Sequence, residues 1–273
     1  MIRQRLGKDL LFFDGGMGTL LQEKGLAPGE LPETWNLTHS EEIYKIHRQY
    51  IEAGSDIILT NTFGANALKF HDDSCSLEEI IKAAVSHVKK AEREALLQTG
   101  DERKIYTALD VGPTGKLLKP MGDLEFETAY EAFKEVVILG EQAGADLIHI
   151  ETMSDTYELK AAVLAAKENT SLPVFATVIF DERKKLLTGA DVSSVVALLE
   201  GLGVDALGIN CAMGPKEMLP VLEELIKYSS VPIIVKPNAG LPKQKNGQTY
   251  YDVSPEYSGR AYCHIGGFLS FFL

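Results

Sequence analysis

With 273 residues, 45% of them hydrophobic, the chain has material for one large α/β domain or two smaller ones. A net charge of −12 speaks against a nucleic-acid surface, which needs clustered Lys and Arg. The four-residue apolar run at 10–13 is too short for a signal segment, and no stretch reaches the roughly 18 apolar residues of a membrane span. Three scattered cysteines, Cys75, Cys211 and Cys263, do not form a secreted disulfide framework, so a reducing cytoplasm and no membrane partner are expected.

Short apolar runs alternate with amphipathic segments along the whole chain. The runs fall at 10–14, 56–63, 105–112, 147–153, 174–180, 206–210, 232–238 and 264–272. They are nearly continuous in apolar residues, the pattern of parallel strands buried on both faces. Between the first two runs, Thr38 and Glu41 stand at capping-box spacing before a stripe of Ile43, Ile46, Tyr50 and Ile51, and Gly54 ends the segment. After the second run, Ser76 and Glu79 repeat the device before Leu77, Ile80, Ile81, Ala84, Val85 and Val88. Further helices are predicted over 125–143, 155–168, 192–202 and 215–228, and Ser254-Pro255 marks one more start. Eight strands with crossover helices predict a (β/α)8 TIM barrel in a single domain, 1–273. The alternative, an open doubly wound sheet, calls for a G-x-G-x-x-G turn after its first strand, which "DGGMGTLL" does not supply.

In such a barrel the C-terminal strand ends carry the site. Those positions hold Asp14-Gly15-Gly16, Asn61-Thr62, Asp110, Glu151, Asn210-Cys211 and Lys236-Pro237-Asn238. Asp14 before two glycines either shapes a turn or serves a ligand. Glu151 directly after "LIHI" needs a partner, because a carboxylate closing an apolar strand loses its hydration. Together the two acids suit an ammonium group, and the glycines let backbone N–H groups approach a carboxylate, so an amino-acid ligand is expected. His149 reads as a core or packing residue, Lys236 as an anion partner or the mate of a carboxylate, and Cys75 as inert. Cys211 is open between a small buried hydrophobe, a nucleophile and a metal ligand. No histidine closes a strand, so no catalytic triad is predicted. "PNAGLPK" is a weak candidate for a phosphate loop.

Seven separated pieces, "FDGGMGTLLQ", "AGSDIILTNTFGAN", "DVGPTG", "ETMSD", "LTGAD", "ALGINCAMGP" and "KPNAG", occur in one order. Together they resemble the homocysteine S-methyltransferases over about residues 9–256, fading after about 256. "TNTFGAN" with "VGPTG" is most similar to the homocysteine-binding domain of the cobalamin-dependent methionine synthases. The resemblance implies a TIM barrel that transfers a methyl group to homocysteine, giving methionine. It implies zinc held by three cysteines: Cys211 and an adjacent pair in a G-G-C-C-G-T motif. It also implies that Asp14 and Glu151 hold the substrate, assisted by the backbone around Gly15 and Gly16; Asn61, Thr62, Asp110 and Asn210, at the same strand ends, are further candidate substrate contacts. A thiol with a pKa near about 8.5 is mostly protonated at neutral pH, and zinc coordination removes that proton. Methylcobalamin would be the donor, carried by cobalamin- and folate-binding modules elsewhere.

The chain departs from this pattern after Gly266-Gly267, where Phe268-Leu269-Ser270-Phe271 stand in place of Cys-Cys-Gly-Thr. Cys263 is no substitute: at the opposite end of a strand over 264–272 it would lie ~25 Å away. The expectations are weak or absent zinc binding, impaired methyl transfer, an altered last strand and a missing final helix. An uncovered apolar edge would then favour self-association. The competing expectation is a domain that binds homocysteine or another amino acid without chemistry.

Overall fold

The computed structural model describes residues 1–70, 75–100, 102–211, 213–240, 243–245, 248–250, 253, 254 and 256. Six strands, β1 (Ile57–Leu59), β2 (Tyr106–Val111), β3 (Leu147–Met153), β4 (Val174–Val178), β5 (Ala206–Asn210) and β6 (Ile233–Lys236), pair in chain order. Every pairing is parallel. The sheet curls into a TIM-barrel-like α/β fold with fewer strands than a full barrel among the described residues. Phe13 joins the outer edge of β1 through one parallel bridge to Ile57, so the run at 10–14 makes a bridge in place of the expected strand. The apolar run at 264–272 and the helix after Pro255 lie outside the described residues, as do the altered strand and missing helix expected there.

The helices are α1 (Gly18–Glu23), α2 (Trp35–Thr38), α3 (Ser40–Glu52), α4 (Leu77–Thr99), α5 (Phe126–Ala143), α6 (Thr156–Asn169), α7 (Val192–Gly201) and α8 (Pro215–Tyr228). The last four match their predicted spans to within about two residues. In α4 the capping box forms as expected: Glu79 N–H donates to Ser76 Oγ at 3.2 Å and Ser76 N–H to Glu79 Oε2 at 2.8 Å. Ser76→Ala is expected to cost about 1 kcal/mol, read as a lower urea midpoint with an unchanged slope. The box expected at Thr38 and Glu41 does not form. Thr38 closes α2, where its hydroxyl donates to Thr34 O at 3.1 Å, and His39 is the residue before α3. Local spacing does not register a second short helix ending on the capping residue.

Alternation along the strands decides what the barrel holds. Ile57, Leu59, Tyr106, Ala108, Leu147, Phe175, Ala206 and Ile234 point inward and form one apolar cluster with Ile2 of the N-terminal segment. Their neighbours Leu109, Val111, Ile148, Ile150, Val174, Ala176, Leu207 and Ile209 point outward into the larger core against α4 to α8. Arg3 ties the N-terminal segment to Asp205 at 2.6 Å, just before β5. Counting two residues up each strand from the inner apolar layer reaches Asp110, His149, Thr177, Gly208 and Lys236, and one further step reaches Glu151 and Asn210. The inner face is therefore apolar at its N-terminal end and polar at its C-terminal rim. The predicted strand at 56–63 stops at Leu59. Beyond it Thr62 N–H turns back to Thr60 O at 2.9 Å, and the two threonine hydroxyls lie 2.7 Å apart.

Candidate functional site

Three carboxylates and one lysine meet at this rim. Lys236 Nζ lies 2.6 Å from Glu151 Oε2 and 5.2 Å from the centre of the Phe13 ring. Strands β3 and β6 bring these two together from 85 positions apart. Glu151 is half-buried, and its loss of hydration alone would raise its pKa, yet the Lys236 ammonium holds it well below the usual carboxylate range. Lys236 is half-buried, and the surrounding Glu151, Asp14 and Asp110 more than offset the lost hydration, raising its pKa.

Asp14 follows the Phe13 bridge and turns its carboxylate into the protein. Its Oδ2 accepts from Leu59 N–H at 3.0 Å, while Oδ1 is buried without a hydrogen-bond partner among the described residues. Burial pushes its pKa up to about 7 against the opposing pull of Lys236. Asp110 sits at the C-terminal end of β2, 6% exposed, with Oδ1 likewise unpartnered among the described residues. Burial first, then the Glu151 charge, raises it well above the ordinary value. A buried oxygen of this kind forfeits its hydration without replacement, which marks both Oδ1 atoms as acceptors awaiting a donor.

His149 is the packing residue expected. It is fully buried with its ring 5.0 Å from Phe13 and Nε2 3.4 Å from Glu151 Oε2, and neither ring nitrogen makes a well-formed hydrogen bond. Burial lowers its pKa, so it stands neutral.

The other predicted residues divide. Asn210 forms a clasp on β3: its Oδ1 accepts from Thr152 N–H at 3.1 Å and its Nδ2 donates to Thr152 Oγ1 at 2.7 Å. Thr152 (φ 65°), within this clasp, and Cys211 (φ 55°), next to it, are both left-handed. Such a backbone costs a non-glycine residue about 1–2 kcal/mol. A register shift between Ile150 and Met153 accompanies the first. Cys211 is a free, half-buried thiol, 3.4 Å from Asn210 Nδ2, and burial followed by the Glu151 charge raises its pKa. Gly15 and Gly16 are exposed, and a Cβ on Gly15 would stand 2.7 Å from the Tyr50 hydroxyl. Asn61 and Thr62 are occupied elsewhere. Asn61 Nδ2 donates to Pro32 O at 2.7 Å, and Thr62 Oγ1 donates to Asp110 O at 2.8 Å.

Two residues at the site carried no signal in the sequence. Tyr50, read as part of an apolar stripe, donates to Gly16 O at 3.1 Å, and burial followed by the Asp14 charge pushes its pKa up to about 12. Glu33, 3% exposed, accepts from Gly64 N–H at 2.5 Å and adds a further negative charge acting on Asp110.

The described residues do not fit a metal. No three His, Cys, Asp or Glu side chains among them are grouped to hold one, Cys211 is a single sulfur, and Glu151 is engaged by Lys236. Positions 268 and 269, where the resemblance expects two more thiolates, carry Phe and Leu and lie outside the described residues. No helix among the described residues is long and apolar enough to cross a membrane.

A family model described as homocysteine S-methyltransferase matches residues 11–266. The methionine synthase of Mycobacterium leprae is 32% identical over 280 residues, which take in 98% of this chain and 23% of that protein. That of Mycobacterium tuberculosis is 33% identical over 278 residues, with the same coverage. The chain thus spans less than a quarter of the length of these curated relatives. Among solved structures, the metallated form of the homocysteine methyltransferase MmuM from Escherichia coli superposes with a TM-score of 0.77 at 25% identity, covering 86% of this chain and 85% of that one. Its apo form gives 0.72. With the polar strand ends meeting on one rim and a family match over most of its length, the chain belongs to the homocysteine S-methyltransferase family.

Proposed function

We propose that this domain is the homocysteine-binding barrel of a methyl-transfer enzyme of the methionine synthase kind, with its polar rim as the amino-acid pocket. The observation that supports this is the pair of buried, unpartnered Oδ1 atoms on Asp14 and Asp110, on the same rim as the Cys211 thiol. An ammonium group satisfies both acceptors, and charge-assisted hydrogen bonds of this type are worth about 1.5–3 kcal/mol each. Gly15 and Gly16 leave the backbone open for the carboxylate end, Asn210 holds the β3 end that carries Glu151, and Asn61 and Thr62 brace the loop beside Asp110. The homocysteine sulfur then extends toward Cys211. In the whole protein the methyl group would come from methylcobalamin, bound with folate in further modules. Cytoplasmic operation is part of this reading, from the sparse cysteines.

Zinc is the part the donor set does not support. Cys211 supplies one sulfur and Phe268 and Leu269 supply none, so we expect this polypeptide to bind zinc weakly or not at all and to transfer methyl groups poorly. The same two residues favour a second reading, an amino-acid-binding domain without catalysis. Calorimetry with L-homocysteine, with and without zinc, together with metal analysis of the purified protein, tests both. The expected result is homocysteine binding that zinc does not strengthen and substoichiometric zinc. Absence of homocysteine binding defeats both readings. One zinc per chain with metal-dependent binding restores the full metalloenzyme.

A further inference from the structure

Besides Asp110 and Glu151, the pieces "DVGPTG", "ETMSD" and "LTGAD" carry Thr114, Asp155 and Thr188. These three converge on the first turn of α6. Asp155 is 6% exposed and caps that turn, its Oδ1 accepting from Tyr157 N–H at 3.0 Å. The same Oδ1 accepts from Thr188 Oγ1 at 3.2 Å, in the loop between β4 and α7. Three residues on, Glu158 is 3% exposed. Its Oε1 accepts from Thr114 N–H at 2.7 Å and from Thr114 Oγ1 at 2.5 Å, in the loop between β2 and α5. Burial raises the pKa of Glu158 in spite of both bonds, and the Asp155 charge adds to this. Two acids buried on one turn cost stability that a helix cap alone does not require.

Away from α6 each loop is folded on itself. In the first, Lys119 N–H donates to Leu124 O at 2.9 Å and Gly122 N–H to Leu118 O at 3.0 Å. In the second, Leu186 N–H donates to Ala190 O and Gly189 N–H to Leu186 O, both at 2.9 Å. Leu118, Leu124 and Leu186 are buried in the cluster that also holds Leu159 and Val163 of α6. Each loop is thus a preformed unit standing on the same helix, one on either side of β3.

We propose that the first turn of α6 couples these two loops, so that they loosen and re-form together. Asp155 and Glu158 are its positioning residues, acting through Thr188 and Thr114. The coupling belongs to the ligand-free domain and does not depend on what the rim binds. Because coupling is reciprocal, loss of either threonine hydroxyl has to be felt in both loops. Two independent anchors would leave each effect in its own loop.

Native-state hydrogen exchange of the whole chain reads this, since local opening raises the exchange of the amides that it frees. Thr188→Val is expected to raise exchange at least tenfold over 185–190 and at least threefold over 114–119, while α4 and α8 keep their wild-type rates. Thr114→Val is expected to do the converse. Thr188→Ser and Thr114→Ser, which keep the hydroxyl, are expected to hold both loops near wild type. Should Thr114→Val fail to fold, Thr188→Val and its serine counterpart decide alone, because Thr188 is only half-buried. Exchange raised in the mutated loop only, or raised equally in α4 and α8, overturns the inference. So does a serine variant that behaves like valine.

Discussion

Asp14→Asn is expected to stabilise the protein at pH 8 while weakening homocysteine binding at least tenfold. The folded-state pKa of Asp14 is raised from 3.8 to about 7, chiefly by burial. A raised carboxyl pKa means that the folded state holds its proton over a range in which the unfolded chain has lost it. Stability from this group is therefore intact below the unfolded value and falls as pH rises through the window between the two. At pH 8 the accumulated cost is about 4 kcal/mol as an upper estimate. Asparagine keeps an acceptor for Leu59 N–H, the bond that Asp14 Oδ2 makes at 3.0 Å, and carries no charge to bury. Its advantage over the wild type is expected to grow by roughly 2 kcal/mol between pH 5.5 and pH 8, read from urea denaturation at the two pH values. An advantage independent of pH means that Asp14 is paired in the folded state, and the ammonium site built on it then fails. The exchange of stability for binding is what a preformed, unsatisfied acceptor entails: the ligand supplies what the fold withholds.

The second large effect lies in the sheet. A Cβ on Gly208 would stand 1.9 Å from Ile234 O and 2.6 Å from Ile234 C on the facing strand. Backbone cannot step aside as a side chain does, so Gly208→Ala has to push β5 and β6 apart. The expected cost is at least about 3 kcal/mol, at the upper end of overpacking effects. The same displacement disturbs the register of Asn210 against Lys236, two residues further on. Gly201→Ala in α7 is the control, because nothing lies within 4 Å of its added Cβ. That change is expected to be neutral or to stabilise by about 0.5–1 kcal/mol, through helix propensity and a less flexible unfolded chain. Equal urea midpoints for the two variants would show that β5 and β6 are not packed as closely as described.

Much of the architecture is legible in the linear pattern. Continuous apolar runs bounded by amphipathic segments announce buried parallel strands with crossover helices, since both faces of such strands are covered. Ser76 with Glu79 is a local device whose chemistry needs no distant partner, and it stands where the sequence puts it. The carboxylates Asp14, Asp110 and Glu151, the Asn210-Cys211 pair and Lys236 are visible as polar residues closing apolar runs. What spacing alone cannot state is which of them share a space.

That depends on register between strands far apart in sequence. Glu151 and Lys236 meet because β3, β4, β5 and β6 pair in order with defined offsets. Asn61 and Thr62, which close a run in the same way, spend their polar side-chain groups on Pro32 O and Asp110 O. Tyr50 and Glu33 enter from α3 and from the turn before α2, on segments whose local pattern speaks only of packing. The strand–helix alternation and the chemistry available at the strand ends are written locally, because hydrophobic patterning and helix capping act through near neighbours. Which acid is paired and which is left wanting follows from long-range register, because Lys236 reaches Glu151 through a non-local sheet and Asp14 and Asp110 each keep an unmet oxygen among the described residues.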